Sequence, residues 1–416
     1  MERAVAGLWC QVLGVESVGP VDNFFDLGGN SILAAELMAK VRASLGVLIT
    51  QVRPLIRLLL DDATLRGFAA AVESARAGTL SADGAAPTDL RADTVVGVPI
   101  QARPTETAWA DPAHVLLTGA TGFLGVYLLR DLLRTTGATV HCLVRARDAR
   151  HAVERLQGTA RRYLAEDLAE YAASGRIAVL PGDLDRPRLG LTEAEFDHLA
   201  RTIDVIHHPG GLVNFIYPYS HMRPTNVEGT REIVRMAARY RNIPVHYVST
   251  MAVVSGFGTA GVRHVTEETP PDHPDRLSVG YVESKWVAEG LLLNAARQGL
   301  PVAVYRAADI SGDRATGAWN TATEMCAMKK FIVDTGTSPV AELPWTTPRW
   351  TATPPRCCTS RRAGRPGEIY HLTNPGKVNV SVLAGCGHTA TPFARSPGRS
   401  GSTGSSGWRS SGPTTP

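Results

Sequence analysis

Cysteine is scarce: six residues in 416, at Cys10, Cys142, Cys326, Cys357, Cys358 and Cys386. No Cys-x-x-Cys spacing and no Cys/His cluster occurs among them, so neither a zinc site nor a disulfide-stapled scaffold is expected. No apolar run approaches the roughly 20 residues that cross a bilayer. The first residues, MERAVAGLWCQVLG, carry Glu2 and Arg3 and no signal-peptide core. A cytoplasmic protein with reduced thiols, no metal and no membrane partner is the expectation. Charge bias is weak too: the formal net charge is +4 with 20% charged residues, which gives no ground for a nucleic-acid partner. Acidic residues run short in one region only. From Trp345 to Pro416 a single one, Glu368, stands against nine Lys/Arg. What the chain does have is 44% apolar residues and enough length for two or three domains with cores.

Residues 1–76 read as helical. RAVAGLWCQVLGV places Val5, Leu8, Trp9, Val12 and Leu13 at a period near 3.6, and SILAAELMAKVRASLGV repeats it after the loop ESVGPVDNFFDLGGN. With a last helix through TLRGFAAAVESARA, three or four short helices make a small all-α bundle. Residues 77–111 are rich in small, polar and proline residues without a period, the composition of an inter-domain linker. Residues 112–344 then alternate strands (HVLLTGA, TVHCLVRA, RIAVLPGD, DVIHHPG, PVHYVST, VAVYRAADI) with helical stretches. That alternation implies an α/β Rossmann fold, a doubly wound parallel sheet. Residues 345–385 hold one ordinary-looking island, GEIYHLTNPGKVNVSVLA, and residues 386–416 are Ser/Gly/Arg/Pro text expected to bury no core.

LLTGATGFLG sets Gly119, Gly122 and Gly125 between a strand and a helix, together with Thr121, Phe123 and Leu124. The first glycine serves the tight turn, the second close backbone approach to a pyrophosphate, the third helix–strand packing. A carboxylate about 20 residues on would favour NAD; Arg145 stands there instead, and a guanidinium suits the 2′-phosphate of NADP(H). The stretch PGDL ends a strand with Asp183 and Leu184, where Asp183 either meets the adenine or caps the next segment. YVESK puts Tyr281 and Lys285 on one helical face. Lys285 is expected to lower the phenol pKa from about 10 and to hold the nicotinamide ribose. Tyr281 would then give a proton to a carbonyl oxygen. HYVSTMAV ends a strand at Ser249–Thr250, and Thr250 rather than Ser249 is expected to bond the same oxygen.

The glycine loop, Thr250, Tyr281 and Lys285, in this order and spacing, resemble the extended short-chain dehydrogenase/reductase superfamily. NVEGT matches a further motif of that group, and the resemblance gives Asn226 a part in shaping the cofactor site; a helix cap is the alternative. DNFFDLGGNSILAAELMAKV resembles the carrier-protein motif of nonribosomal peptide synthetases, in which the serine, here Ser31, bears a 4′-phosphopantetheine arm. A helix N-terminus favours such a phosphodiester.

Carrier and reductase together resemble the thioester reductase end of such a synthetase and, more distantly, carboxylic acid and aminoadipate reductases. The resemblance implies upstream adenylation and condensation domains, a phosphopantetheinyl transferase and an acyl or peptidyl thioester as partners. It implies NADPH-dependent reduction of the thioester, through a thiohemiacetal, to an aldehyde and in some members on to an alcohol. Epimerases and dehydratases share the Tyr–Lys pair, but a carrier does not belong with them.

The match departs at Pro209 and Gly211, where Asn and Ala are usual, and at Ala307 and Ala308 after Arg306, where Pro and Gly are usual. These departures and the atypical C-terminus, an incomplete substrate lobe, set up a rival reading: a carrier with a catalytically impaired Rossmann module that binds only nucleotide or a partner. Resemblance is lost near Leu343–Trp345, returns near Arg365 and is lost again after Ala384. A reading frame that shifted, returned and shifted again gives that pattern, with a natural low-complexity tail as the alternative.

Overall fold

The computed structural model describes residues 1–29, 31–48, 51–80, 89–101, 111–164, 167–313, 316–321, 323–339, 344–345, 367–373, 378–379 and 408–410. The chain opens with α1 (Glu2–Leu13), α2 (Ser31–Leu45), α3 (Val52–Asp61) and α4 (Leu65–Arg76). α1 buries Val5, Leu8, Trp9 and Val12, the i, i+3, i+4, i+7 stripe of an amphipathic helix. Trp9 is fully buried, edge-on to Phe24 at 5.1 Å between ring centroids and tilted over Phe68 at 6.2 Å. Thr64 caps α4 by accepting from Gly67 N. Periodicity located three of these helices. α3 escaped it because Arg53 and Pro54 stand in its first turn, although Leu55 and Leu59, four apart, are fully buried.

The segment expected as a spacer is in part a strap. Residues 89–101 are described, and Leu90 and Val96 are buried in the core of the α/β region. Asp93 accepts from Arg223 Nε at 2.8 Å, from Arg223 Nη2 at 3.0 Å and from the Tyr219 hydroxyl at 2.5 Å. Asn294 donates to Thr94 O at 3.0 Å, and the guanidinium of Arg91 lies 5.8 Å from the Trp286 ring centroid.

Beyond the strap come β1 (His114–Thr118), α5 (Phe123–Thr135), β2 (Thr139–Val144), α6 (Ala149–Tyr163), α7 (Ala169–Ala173) and β3 (Ile177–Pro181). Next are α8 (Glu193–Thr202), β4 (Val205–His208), α9 (Tyr219–Arg223), α10 (Gly229–Ala238), β5 (Val245–Thr250) and α11 (Ser255–Thr259). Then follow α12 (Gly280–Arg297), β6 (Val302–Ala307), α13 (Glu324–Thr335), β7 (Thr337–Pro339) and β8 (Pro344–Trp345). The last are β9 (Glu368–Leu372), β10 (Val378–Asn379) and β11 (Trp408–Ser410).

All six strands read from the sequence form one seven-stranded sheet with β9, in the order β3-β2-β1-β4-β5-β6-β9. Every neighbouring pair is parallel. The order reverses beside β1, which makes the β1/β4 crevice the ligand-binding switch point of a doubly wound fold. Two apolar layers cover the faces. One is built on Leu128, Leu129 and Leu132 of α5 and Leu156 of α6, the other on Phe196 of α8, Ile233 of α10 and Leu291 of α12.

The tail island supplies the seventh strand. β9 runs in register with β6, pairing Tyr305 with Tyr370 and Arg306 with His371, and the two tyrosine rings stack at 5.3 Å. Of residues 386–416, only Trp408–Ser410 are described, as a short strand antiparallel to β7. The expectation that residues 386–416 bury no core otherwise lies outside the described residues. Among the described residues no helix is long and apolar enough to cross a membrane.

Candidate functional site

Ser31 is the first residue of α2; its side chain lies outside the described residues, as does Asn30. The two glycines before it do different things. Gly28 has φ +96°, a left-handed conformation open to glycine. A Cβ on Gly29 would lie 2.3 Å from the Phe24 ring, so Gly29 is small in order to pack on the carrier core.

The glycine loop is a steric cradle. Gly119 has φ +66°, and a Cβ there would lie 2.7 Å from Gly210 Cα. A Cβ on Gly125 would lie 2.0 Å from Gly119 O, so α5 can approach β1 only through glycine. Gly122 stands before α5 with no side-chain cap, which leaves the first amides of the helix available to an anion. The cleft at this loop is lined by Thr118, Gly119, Thr121, Leu143, Arg145, Arg155, Gly182, Asp183, Leu184, Gly210, Gly211, Leu212 and Thr225. The residues chosen from sequence as Gly119, Thr121, Arg145, Asp183 and Leu184 thus meet on one wall system. Phe123 and Leu124 do not line it. Phe123 turns inward onto Tyr127 and Tyr163, with ring centroids 5.2 and 5.1 Å away, and Leu124 packs on the same core.

Several residues of the cleft had no sequence signal. Arg155, on α6, donates to the Arg145 carbonyl and lines the cleft together with Arg145. Arg147, two residues past Arg145, does not line the cleft and bonds Asp148 at 3.3 Å. Thr118 Oγ1 lies 2.7 Å from His208 Nδ1 and accepts from Gly210 N at 3.0 Å. His208 Nε2 in turn lies 3.2 Å from Thr230 Oγ1. These bonds fix the β4 exit loop against the β1 turn.

Asn226 is not a cap. It sits in the π-helical turn Pro224–Glu228, accepts from Leu212 N at 2.7 Å and donates to Leu212 O at 3.0 Å and Ser284 Oγ at 2.9 Å. It therefore staples the loop after β4 to α12. Gly211 stands where the superfamily resemblance has Ala, and a Cβ there would lie 3.1 Å from Asn226 Oδ1.

At the end of β5, Ser249 and Thr250 separate. Ser249 is buried and donates to Glu289 Oε2 at 2.8 Å, whereas half-buried Thr250 accepts from Ala252 N at 3.2 Å and keeps its hydroxyl proton uncommitted by that bond. Tyr281, in the first turn of α12, lies with its ring 5.3 Å from Phe215. Lys285, one turn on, donates to Val248 O at 2.7 Å, its ammonium 4.0 Å from the Tyr247 ring centroid.

The expected electrostatics is reversed. Burial pushes the Tyr281 phenol up to about 12. Burial also lowers Lys285 to about 7, with the Glu289 carboxylate pulling the other way. The low-dielectric surroundings of α12 outweigh the lysine's charge. A phenol so raised stays protonated and can donate. Among the described residues no cluster of His, Cys, Asp and Glu could hold a metal ion.

The sheet order, the glycine cradle and the two guanidinia define a dinucleotide-binding α/β protein, preceded by a helical carrier bundle. A family model described as "Male sterility protein", an NAD-binding domain, matches residues 117–345, and one described as "Phosphopantetheine attachment site" matches residues 3–72. The chain belongs to the male sterility NAD-binding family and carries a phosphopantetheine attachment domain ahead of it. It is 41% identical over 338 residues to a linear gramicidin synthase of Brevibacillus parabrevis, covering 80% of this chain and 6% of that protein. It is 38% identical over 346 residues to glycine betaine reductase ATRR of Emericella nidulans, covering 81% of this chain and 26% of that protein. The chain thus spans a small part of these relatives. Among solved structures, the terminal R domain of the myxalamid PKS-NRPS pathway matches at 38% identity and a TM-score of 0.61, covering 70% of this chain and 74% of that one. A thiolation-reductase di-domain of an archaeal nonribosomal peptide synthetase shares the fold, with a TM-score of 0.65 at 22% identity over 91% of this chain and 79% of that one.

Proposed function

We propose that this chain releases an acyl or peptidyl group, held as a thioester on a 4′-phosphopantetheine arm at Ser31, by NADPH-dependent reduction to an aldehyde. A second reduction to the alcohol is open to the same site. The observation that carries this reading is the conjunction on one chain of a carrier bundle whose motif serine opens α2 and a dinucleotide cleft followed by Thr250, Tyr281 and Lys285. The residues fit the dinucleotide. The cradle at Gly119 and Gly210 admits backbone approach, the start of α5 suits a pyrophosphate, and Arg145 with Arg155 suits a 2′-phosphate. When bound, NADPH supplies the hydride.

The chain's own groups do the rest. Thr250 and Tyr281 bond the thioester carbonyl oxygen, and Tyr281 delivers its proton there as negative charge develops. Lys285, one turn beyond Tyr281 and held on the Val248 carbonyl, reaches the ribose. The tether raises the local concentration of the acyl group. Upstream adenylation and condensation domains would load the arm, after a phosphopantetheinyl transferase has installed it on Ser31. The test is direct: load the arm with an octanoyl group from octanoyl-coenzyme A using a phosphopantetheinyl transferase, add NADPH, and identify the released product by mass spectrometry. Octanal or octanol is expected. Tight NADPH binding without product would support the nucleotide-binding-only reading instead.

A further inference from the structure

One turn beyond Lys285 on the same face of α12 stands Glu289, fully buried, as is its partner Arg306 on β6. Glu289 Oε1 accepts from Arg306 Nε at 3.0 Å and Nη2 at 2.5 Å, and Glu289 Oε2 accepts from Ser249 Oγ at 2.8 Å. Ser249, Arg306 and His371 are register partners across β5, β6 and β9, so three strands present polar side chains at one level of the sheet. Arg306 Nη1 lies 3.3 Å from His371 Nε2. A guanidinium can only donate, so that imidazole nitrogen accepts.

A buried ion pair is a poor way to gain stability, because desolvation offsets most of the attraction. Its placement gives it another use. Lys285 grips the carbonyl of Val248 and Glu289 grips the hydroxyl of Ser249. Two side chains one helical turn apart thus hold two successive residues of β5, and the next residue is Thr250. Such a two-point grip fixes both the height and the rotation of α12 against β5.

Resting on the reductase reading above, we propose that Glu289, held in its rotamer by Arg306, is a positioning residue that locks α12 to β5 through Ser249. The lock sets Tyr281 and Lys285 on the helix against Thr250 on the strand. Neither Glu289 nor Arg306 touches substrate in this role; both act through Ser249. Misplacement by about 1 Å costs on the order of a hundredfold in rate at such a site, so a loosened lock is visible in turnover before it is visible in folding.

Two variants of the full chain test this, with the octanoyl-loaded carrier as the probe. Ser249→Ala keeps the ion pair and removes only the grip. It is expected to lower the single-turnover rate at saturating NADPH by roughly tenfold or more, with the NADPH KM within about twofold of wild type. The double variant Glu289→Leu with Arg306→Met removes both buried charges together and takes these partners from Ser249 Oγ and His371 Nε2. It is expected to fold, by circular dichroism, and still to react slowly. A Ser249→Ala rate within twofold of wild type overturns the proposal, and so does full activity in the apolar double variant. Hydrogen exchange of the Gly280–Glu289 backbone gives a readout independent of turnover. Faster exchange in Ser249→Ala is expected, and unchanged protection there overturns the lock whether or not the protein reduces thioesters. Absence of NADPH oxidation in wild type would instead count against the reductase reading, leaving the exchange result to decide the lock.

Discussion

Arg145 and Arg155 reach one cleft from different distances in sequence. Arg145 stands at the end of the second strand, the place a dinucleotide fold reserves for the ribose contact, and so it could be read from spacing alone. Arg155 lies in the middle of α6 and meets the Arg145 carbonyl only once that helix packs, which no local pattern announces. Charge-assisted hydrogen bonds contribute about 1.5–3 kcal/mol each. Arg145→Ala is therefore expected to weaken NADPH binding roughly 10- to 100-fold and to leave NADH binding within about twofold, by fluorescence titration. Equal losses for both cofactors would remove the 2′-phosphate assignment. Tyr281 teaches the complementary lesson. Its place one turn before Lys285 on a helix was legible from the i, i+4 spacing, but the direction of its pKa was not, because sequence shows the neighbouring charge and hides the desolvation. Tyr281→Phe should lower the turnover rate by 10²- to 10⁴-fold while NADPH affinity stays near wild type. A Phe variant with near-normal turnover would leave the proton to another donor.

Among the elements, the strap at residues 89–101 bears on the proposed delivery of the thioester. Its composition reads as a linker since it has no period, yet its anchors are side-chain contacts to residues more than 100 positions away, such as Asp93 to Arg223 and Thr94 to Asn294. At the carrier end, Leu80 N still bonds Ser74 O. Eight residues, 81–88, separate these two anchored ends in sequence, a contour of at most about 30 Å. Freeing the strap would lengthen the tether to run from residue 81 to the start of β1. Effective concentration falls roughly as the −3/2 power of tether length, which makes the expected loss about five- to tenfold. Asp93→Ala is expected to slow reduction of the carrier-bound octanoyl group by that factor, to leave reduction of a free octanoyl thioester unchanged, and to open tryptic cleavage at Arg91. Equal slowing with both substrates would mean that the strap only braces α12.

Across the whole molecule, histidine is distributed unevenly, and this gives the two folding units different responses to acid. The carrier bundle contains none up to Leu80, the first in the chain being His114. The central sheet buries three on adjacent strands: His207 and His208 on β4 and His246 on β5. His207 stacks on His246 with ring centroids 4.8 Å apart, so protonating either would place a charge against the other in a dry layer. Burial holds His207 well below the usual imidazole range and lowers His208 to about 3 and His246 to about 4. In the unfolded chain each titrates near 6.5. Between those values the unfolded state binds more protons than the folded one, so stability rises with pH and is lost as pH falls below about 6.5. Each histidine contributes a slope of about 1.4 kcal/mol per pH unit, and three together about 4. A domain stability of about 5–15 kcal/mol would then be exhausted over about one to four pH units. The reductase unit is expected to unfold cooperatively between about pH 5 and pH 4, while the carrier helices persist. Thermal melts followed by circular dichroism should resolve from one broad transition at pH 7 into two separated ones near pH 5. His246→Phe keeps the stack and removes one titrating ring, so it should flatten the slope of the reductase transition by about one proton. A melting temperature for that transition that stays constant from pH 7 to pH 5 would mean that the buried histidines do not govern the acid limb.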